Sequence, residues 1–240
     1  MSSAPRCFAL VPCAGVGLRA GAGCPKQYAV LAGHSVVAHT LQALAAVPQL
    51  VATLVVLSPD DLEFETHAPG FVGPCAWVAR CGGATRALSV AHGLQALQAR
   101  GAQAQDWVLV HDAARCLLRP AWVQRLIAAC LHDEVGGLLA LPLADTLKQA
   151  GPGERVQATL PRQDKWLAQT PQMFRLGLLQ QALQQALQQA LAQAGDAVTD
   201  EAGAVEALGL APRLVPGELE NLKLTWPADF ALAARLLETR

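Results

Sequence analysis

The chain has 240 residues, of which 52% are hydrophobic and 15% charged, and its formal charge is -1. That length suffices for one large domain with a well-buried core, and the composition excludes a disordered chain. A near-neutral charge excludes a general polyanion binder, so nucleic acid is not an expected partner and any phosphate chemistry must be local.

No apolar run reaches the roughly 18 to 20 residues needed to span a bilayer, and "MSSAPRCFALVPCAG" meets glycine too early for an export signal. A cytoplasmic protein without a membrane partner is expected. Seven cysteines, at 7, 13, 24, 75, 81, 116 and 130, include no C-x-x-C pair and no zinc spacing, so they read as reduced thiols acting as small hydrophobes.

In chain order, "CFALVP" (7–12) reads as the first strand. Ser35 caps the helix "VVAHTLQALAAV", where Val37, Leu41 and Leu44 define a buried face. "ATLVVLS", "CAWVA", "DWVLVHD" and "VGGLLALPL" read as further strands, and "RALSVAHGLQALQA" as a helix. This alternation predicts a layered α/β/α protein of Rossmann-like type with a mostly parallel sheet.

Between about 142 and 170 the pattern turns polar and turn-rich around "GPGE", which predicts a projecting β-arm. An arm with unpaired edges invites cover by a second copy, so a homodimer through the arm is expected. Leu179, Leu183, Leu187 and Leu191 then recur every fourth residue, as on an amphipathic core helix. Thr199 is expected to cap a further helix, with Asp200 and Glu201 in its positive first turn and without a chemical role. Pro227 opens the last helix. No linker divides the chain, so residues 1–240 are read as a single domain with an arm.

The stretch "LVPCAGVGLRAGAGCPKQY" (10–28) follows the first strand. Gly15-x-Gly17-x-x-Ala20 matches the dinucleotide fingerprint in form, but Gly21, Gly23 and Pro25 interrupt the helix that it requires. The acidic residue expected about 20 positions on is also missing, since the first carboxylate of the chain is Asp60. What remains is a backbone anion nest flanked by Arg19 and Lys26, suited to a triphosphate. It is not a Walker A loop.

Strand, "AGxGxR", spacer and "PKQ" resemble the nucleotidyltransferases that activate sugar and polyol phosphates. "GGATRALSV" (82–90), "VHDAAR" (110–115), "DTLK" (145–148), "TPQMF" (170–174), "TDEA" (199–202) and "ENLKLT" (220–225) follow in an order similar to that of the 2-C-methyl-D-erythritol 4-phosphate cytidylyltransferase family. The resemblance implies CTP and a polyol phosphate, methylerythritol 4-phosphate, as substrates, with Mg2+. It implies that Arg19, Lys26 and Lys223 are catalytic contacts to phosphates and that Asp112 binds the metal. Cys13, Ala14, Gly15, Gly82, Gly83 and Ser89 would recognise cytosine and ribose. Arg115 and Thr146, with Arg162 and Thr170 from a neighbouring subunit's arm, would grip the polyol phosphate. A cytidylyltransferase for another polyol phosphate such as ribitol 5-phosphate, and a non-catalytic nucleotide-binding relative, are the alternatives.

Three positions depart from the family pattern: Ala84 in place of an acidic residue, Cys116 in place of proline, and Glu220 in place of aspartate. Base recognition at position 84 must therefore use backbone groups or Thr85, and Glu220 is not expected to ligate metal directly. Asp112, at the carboxyl end of "WVLVHD", lies at the sheet edge where ligands bind. His111 points to the other face and reads as structural.

Overall fold

The computed structural model describes residues 5–15, 25–193 and 199–239, the last three of the middle segment by backbone alone. β1 (Cys7–Pro12) is followed by a two-strand hairpin, β2 (Val30–Leu31) and β3 (His34–Ser35), and by α1 (Val36–Ala45). The Ser35 side chain accepts from the Ala38 amide at 3.1 Å, the expected cap, and Val37, Leu41 and Leu44 are buried. Next come β4 (Leu50–Val56), a short α2 (Phe64–His67), β5 (Ala76–Ala79), α3 (Arg86–Ala99) and β6 (Trp107–Val110).

α4 (Pro120–Cys130) starts on a proline, whose missing amide costs nothing in the first turn. β7 (Gly136–Pro142) leads into the arm, an antiparallel hairpin of β8 (Leu147–Ala150) and β9 (Val156–Leu160). β10 (Trp166–Arg175), α5 (Leu176–Gln193), α6 (Glu201–Glu206), β11 (Arg213–Pro216) and α7 (Pro227–Glu238) complete the chain.

Seven strands form one sheet in the order β11-β7-β10-β6-β1-β4-β5, parallel except for β10, which runs antiparallel to β6 and β7. The fold is the mostly parallel α/β arrangement expected. Alternation divides its core. Cys7, Ala9 and Val11 of β1 join Trp107 and Leu109 of β6 beneath α1 and α4, while Phe8 and Leu10 join Val108 and Val110 beneath α3 and α5. A third cluster, with Leu31, Val36, Cys116, Leu117, Leu224 and Ala233, seats α7. There Cys116, where the family pattern has proline, is a buried apolar filler. Burial pushes the thiols of Cys7 and Cys130 up to about 11 and about 12.

The chain begins at the middle of the sheet, builds outward through β4 and β5, then returns to add β6 on the other side of β1. The β1/β6 boundary is therefore a topological switch point, where loops at the carboxyl ends diverge and leave a crevice.

The reading of the arm and of one helix cap needs correction. Trp166, Leu167 and Ala168 pair with Pro142, Leu141 and Ala140, so the segment from 166 to 170 is sheet rather than arm. α6 is capped by Asp200, whose Oδ1 accepts from Gly203 N at 2.9 Å, and not by Thr199. Both candidates lie at adjacent positions, and the carboxylate is the stronger acceptor for amides at the positive end of a helix. Leu179 and Leu183 are buried as expected; the side chain of Leu191 lies outside the described residues.

Candidate active site

Asp112 lies two residues beyond β6, at the switch point, and is almost fully buried. Its amide donates to Thr170 Oγ1 at 3.1 Å. Its carboxylate meets three cations: Arg86 Nε at 2.8 Å from Oδ1, Lys223 Nζ at 2.8 Å from Oδ2, and Arg115 Nε at 3.9 Å from Oδ2. Burial alone would raise the carboxyl's pKa, but Arg86, Lys223 and Arg115 outweigh it and hold Asp112 well below the usual carboxylate range.

Two cavities meet at this cluster. The larger, about 550 Å³, is lined by Cys13, Ala14 and Gly15 after β1, by Lys26, and by Gly83 and Ser89 at the start of α3. The smaller, about 260 Å³, takes in Arg115, Gln169 and Thr170. Asp112, Arg86 and Lys223 line both. Such a plan suits two ligands that react across a shared charged wall.

The wall of the larger cavity depends on close backbone approach. A Cβ on Gly82 would collide with the Cβ of Ala14 and lie 2.8 Å from the Leu57 carbonyl oxygen, so the two loops touch only because this residue is glycine. The Ser89 hydroxyl accepts from Gly83 N at 3.0 Å and donates to Thr85 O at 3.0 Å, fixing the loop. Ala84 and Thr85 also line this cavity, and the Thr85 oxygen caps α3 by accepting from Leu88 N. Lys26 opens a single helical turn after Pro25 and donates from Nζ to Leu224 O at 3.3 Å, beside Lys223. Arg19 and the loop glycines 17, 21 and 23 lie outside the described residues.

In the smaller cavity Arg115 donates to Asn221 O at 2.6 Å and to Ala168 O at 3.4 Å, while its buried Nε has no hydrogen-bond partner among the described residues and faces Asp112. Thr170, expected on a neighbour's arm, sits instead inside this chain's own site. It is buried, and its hydroxyl bonds His111 Nδ1 at 2.9 Å as well as the Asp112 amide. The register of β10 against β6, Gln172 opposite Val110, brings it there. His111 is fully buried, and burial lowers its pKa to about 4, as befits the structural role expected of it.

Thr146 and Arg162 are not brought to the cluster. Both are exposed near the base of the arm, where Arg162 bonds the Ala144 carbonyl. Glu220 bonds Arg119 at 2.7 Å and is not among the described residues that line either cavity.

Glu201 corrects the reading most. It is fully buried, and its two oxygens accept from Arg86 Nη1 at 2.6 Å and Nη2 at 3.0 Å. Burial raises its pKa, opposed by Arg86. Arg86, which links it to Asp112, received no role from the sequence. A signal existed: it is the first residue of α3, where the helix dipole disfavours a cation, so compensating anions had to be nearby.

Among the described residues no group of three or more His, Cys, Asp or Glu side chains could hold a metal by itself. Asp112 nevertheless fits Mg2+. That ion commonly takes one or two carboxylates and completes its shell with water and substrate phosphates, and an ionised carboxylate offers about four acceptor sites.

The family model for 2-C-methyl-D-erythritol 4-phosphate cytidylyltransferase matches residues 7–239. The chain belongs to this family. A family enzyme of Laribacter hongkongensis is 55% identical over 97% of this chain and 96% of its own length. A bifunctional IspD/IspF enzyme of Albidiferax ferrireducens is 58% identical over 98% of the chain, which spans 54% of that relative's length. Among solved structures, a 4-diphosphocytidyl-2C-methyl-D-erythritol synthase superposes with a TM-score of 0.83 at 40% identity, covering 98% of this chain and 100% of the other. The family enzyme of Francisella tularensis follows the same course, with a TM-score of 0.80 at 31% identity over 95% of this chain and 98% of that one. The family is one of nucleotidyltransferases, and a site made of two cavities sharing one charged wall is what transfer between two phosphorylated substrates requires.

Proposed function

We propose that this chain transfers the cytidylyl group of CTP to 2-C-methyl-D-erythritol 4-phosphate, giving 4-diphosphocytidyl-2-C-methyl-D-erythritol and pyrophosphate. The observation that carries this reading is the meeting of the two cavities at Asp112, Arg86 and Lys223 in a chain of this family. The larger cavity takes CTP and the smaller the acceptor's phosphate.

A phosphate monoester loses its second proton near pH 6, so its oxygen is already an anion at neutral pH and needs no general base. It attacks the α-phosphorus; the new P–O bond forms as the bond to the β-phosphate oxygen breaks, and pyrophosphate carries away the electron pair. The obstacle is repulsion between anions. This chain answers it with cations: Lys26 on the triphosphate, joined by Arg19 as the family resemblance implies, Lys223 at the junction and Arg115 in the acceptor recess. The backbone of Cys13 to Gly15, with Gly82, Gly83 and Ser89, holds base and ribose. Asp112 would hold Mg2+, which supplies charge neutralisation to phosphate oxygens when bound.

Thr146 and Arg162 enter the reading through a homodimer. Both sit on the exposed arm, so an arm laid across a second copy would carry the two together toward that copy's acceptor recess. Val156, Leu167 and Trp166, exposed on or beside the arm, supply apolar surface for such cover. A cytoplasmic location belongs to the same reading, as reduced cysteines are expected there; among the described residues no helix is long and apolar enough to cross a membrane.

The test is pyrophosphate release with CTP against the other nucleoside triphosphates, crossed with methylerythritol phosphate and ribitol phosphate. Turnover is expected for CTP with methylerythritol phosphate alone. Equal use of ATP would reject the base assignment, and preference for ribitol phosphate the acceptor.

A further inference from the structure

We infer that Glu201 is a positioning residue for the transfer, acting through Arg86 to keep Asp112 aimed at the junction of the two cavities. The inference rests on the cytidylyl-transfer reading.

A fully buried carboxylate costs several kcal/mol in desolvation unless its partner is well placed. Glu201 spends both oxygens on one guanidinium, at 2.6 and 3.0 Å, and that guanidinium uses its remaining edge, Nε, on Asp112 at 2.8 Å. The position of Glu201 is itself fixed. Asp200 caps α6, Ala202 N donates to Gln172 Oε1 at 2.7 Å, and Gln172 Nε2 donates to Asp200 Oδ2 at 2.9 Å. A continuous set of hydrogen bonds thus runs from the interior strand β10 through α6 to Asp112.

Lys223, the cation 2.8 Å from Oδ2, is held differently. Lys223 is 41% exposed at its side chain and has a flexible stem, whereas Arg86 is 27% exposed and held by three charged bonds. When phosphates enter, Lys223 is free to turn toward them. Arg86 borders both cavities and would be drawn the same way, pulling its support from Oδ1 of Asp112. Glu201 opposes that pull. It neutralises Arg86 from behind and keeps it as a fixed prop, so that Asp112 presents Oδ2 in one orientation.

The test compares the unaltered protein with Glu201→Gln and Glu201→Asp, measuring kcat, KM for CTP, thermal unfolding and the arginine Nε–H cross-peak of Arg86 by NMR, assigned by its loss in Arg86→Lys. For Glu201→Gln we expect a cooperative thermal transition, KM for CTP within about threefold and kcat lowered at least about tenfold, since misplacement by 1 Å can cost 10²-fold. The Arg86 cross-peak should shift or broaden, and Glu201→Asp, which keeps the charge, should recover part of kcat. A kcat within twofold of the parent with an unchanged cross-peak would overturn the inference and leave the proposed function standing. Absence of turnover in the unaltered protein would instead strike the proposed function.

Should Glu201→Gln fail to fold, the double variant Arg86→Met/Glu201→Met replaces the ion pair by apolar groups of similar volume, an exchange that buried pairs often tolerate. It is expected to bind CTP and to turn over at least about tenfold more slowly. Parental kcat in that variant would equally overturn the inference.

Discussion

The ammonium of Lys223 lies 2.8 Å from Oδ2 of Asp112, and the next residue, Leu224, donates its amide to Ala114 O at 2.9 Å. One backbone bond thus fixes the loop that carries Lys223 against the segment that follows Asp112. Because the lysine side chain is far more exposed than the aspartate, its removal strips charge from the junction without opening the core. Lys223→Ala is expected to lower kcat on the order of 10² to 10³, the cost of removing one preorganised donor at a charged transition state. Pyrophosphate release together with an unchanged melting temperature checks this. A loss confined to stability would show the lysine to be structural.

Lys26→Ala is expected to abolish measurable pyrophosphate release while the fold stays intact. Lys26 follows Pro25 in a single turn whose neighbour, Gln27, reaches back to Cys13 O at 3.3 Å, so the turn is tied to the end of β1 independently of the ammonium. Circular dichroism and turnover separate the two effects. Near-normal activity would remove the loop from the mechanism.

Much of this site was legible because local signals carried it. Asp112 follows a strand at the sheet edge where ligands bind, and Lys26 follows a proline beside a glycine-rich loop; Gly82, Gly83 and Ser89 are named through the family resemblance. What failed required long-range pairing. The resemblance implies Thr170 on a neighbouring subunit's arm, and the polar, turn-rich pattern runs to about 170, yet β10 begins at Trp166 and its antiparallel register with β6 carries Thr170 to Asp112. No periodicity reveals that insertion of one antiparallel strand into a parallel sheet. Glu201 was read as a dipole complement because a first-turn carboxylate needs no further reason. Its bond to Arg86 joins residues 115 apart in sequence.

Gly82→Ala tests the fit between the two loops. The added methyl meets the Leu57 carbonyl oxygen at 2.8 Å and the Cβ of Ala14, and a backbone carbonyl cannot swing aside as a flexible side chain can. Overpacking of this kind typically costs about 1 to 3 kcal/mol. Since Ala14 lines the larger cavity, the one proposed to take CTP, relief of the clash displaces part of that cavity's wall. Urea unfolding is expected to show the stability loss, and steady-state kinetics a raised KM for CTP. An unchanged KM would separate this contact from nucleotide binding.

Asp106 offers a prediction remote from the chemistry. Its carboxylate accepts from Arg6 N at 2.9 Å, Arg6 Nη2 at 2.6 Å and Gln103 N at 2.8 Å, pinning the entry of β1 to the entry of β6. Burial would raise its pKa, but Arg6 and the two amides outweigh it, and the folded value lies below the ordinary one. A carboxyl depressed in the folded state contributes stability that is present above the unfolded pKa, about 3.9, and is lost as pH falls through the folded value. Asp106→Asn, which leaves an amide group facing amide donors, is expected to cost about 2 kcal/mol at pH 7. In urea unfolding series at descending pH, the gap between the two proteins should narrow as pH falls below about 4, where the unfolded carboxyl takes up its proton, and level off once pH passes the lower folded value and the carboxyl is protonated in both states. A gap that stays constant to the most acid conditions would mean that packing at this position, rather than the anion, ties the two strands together.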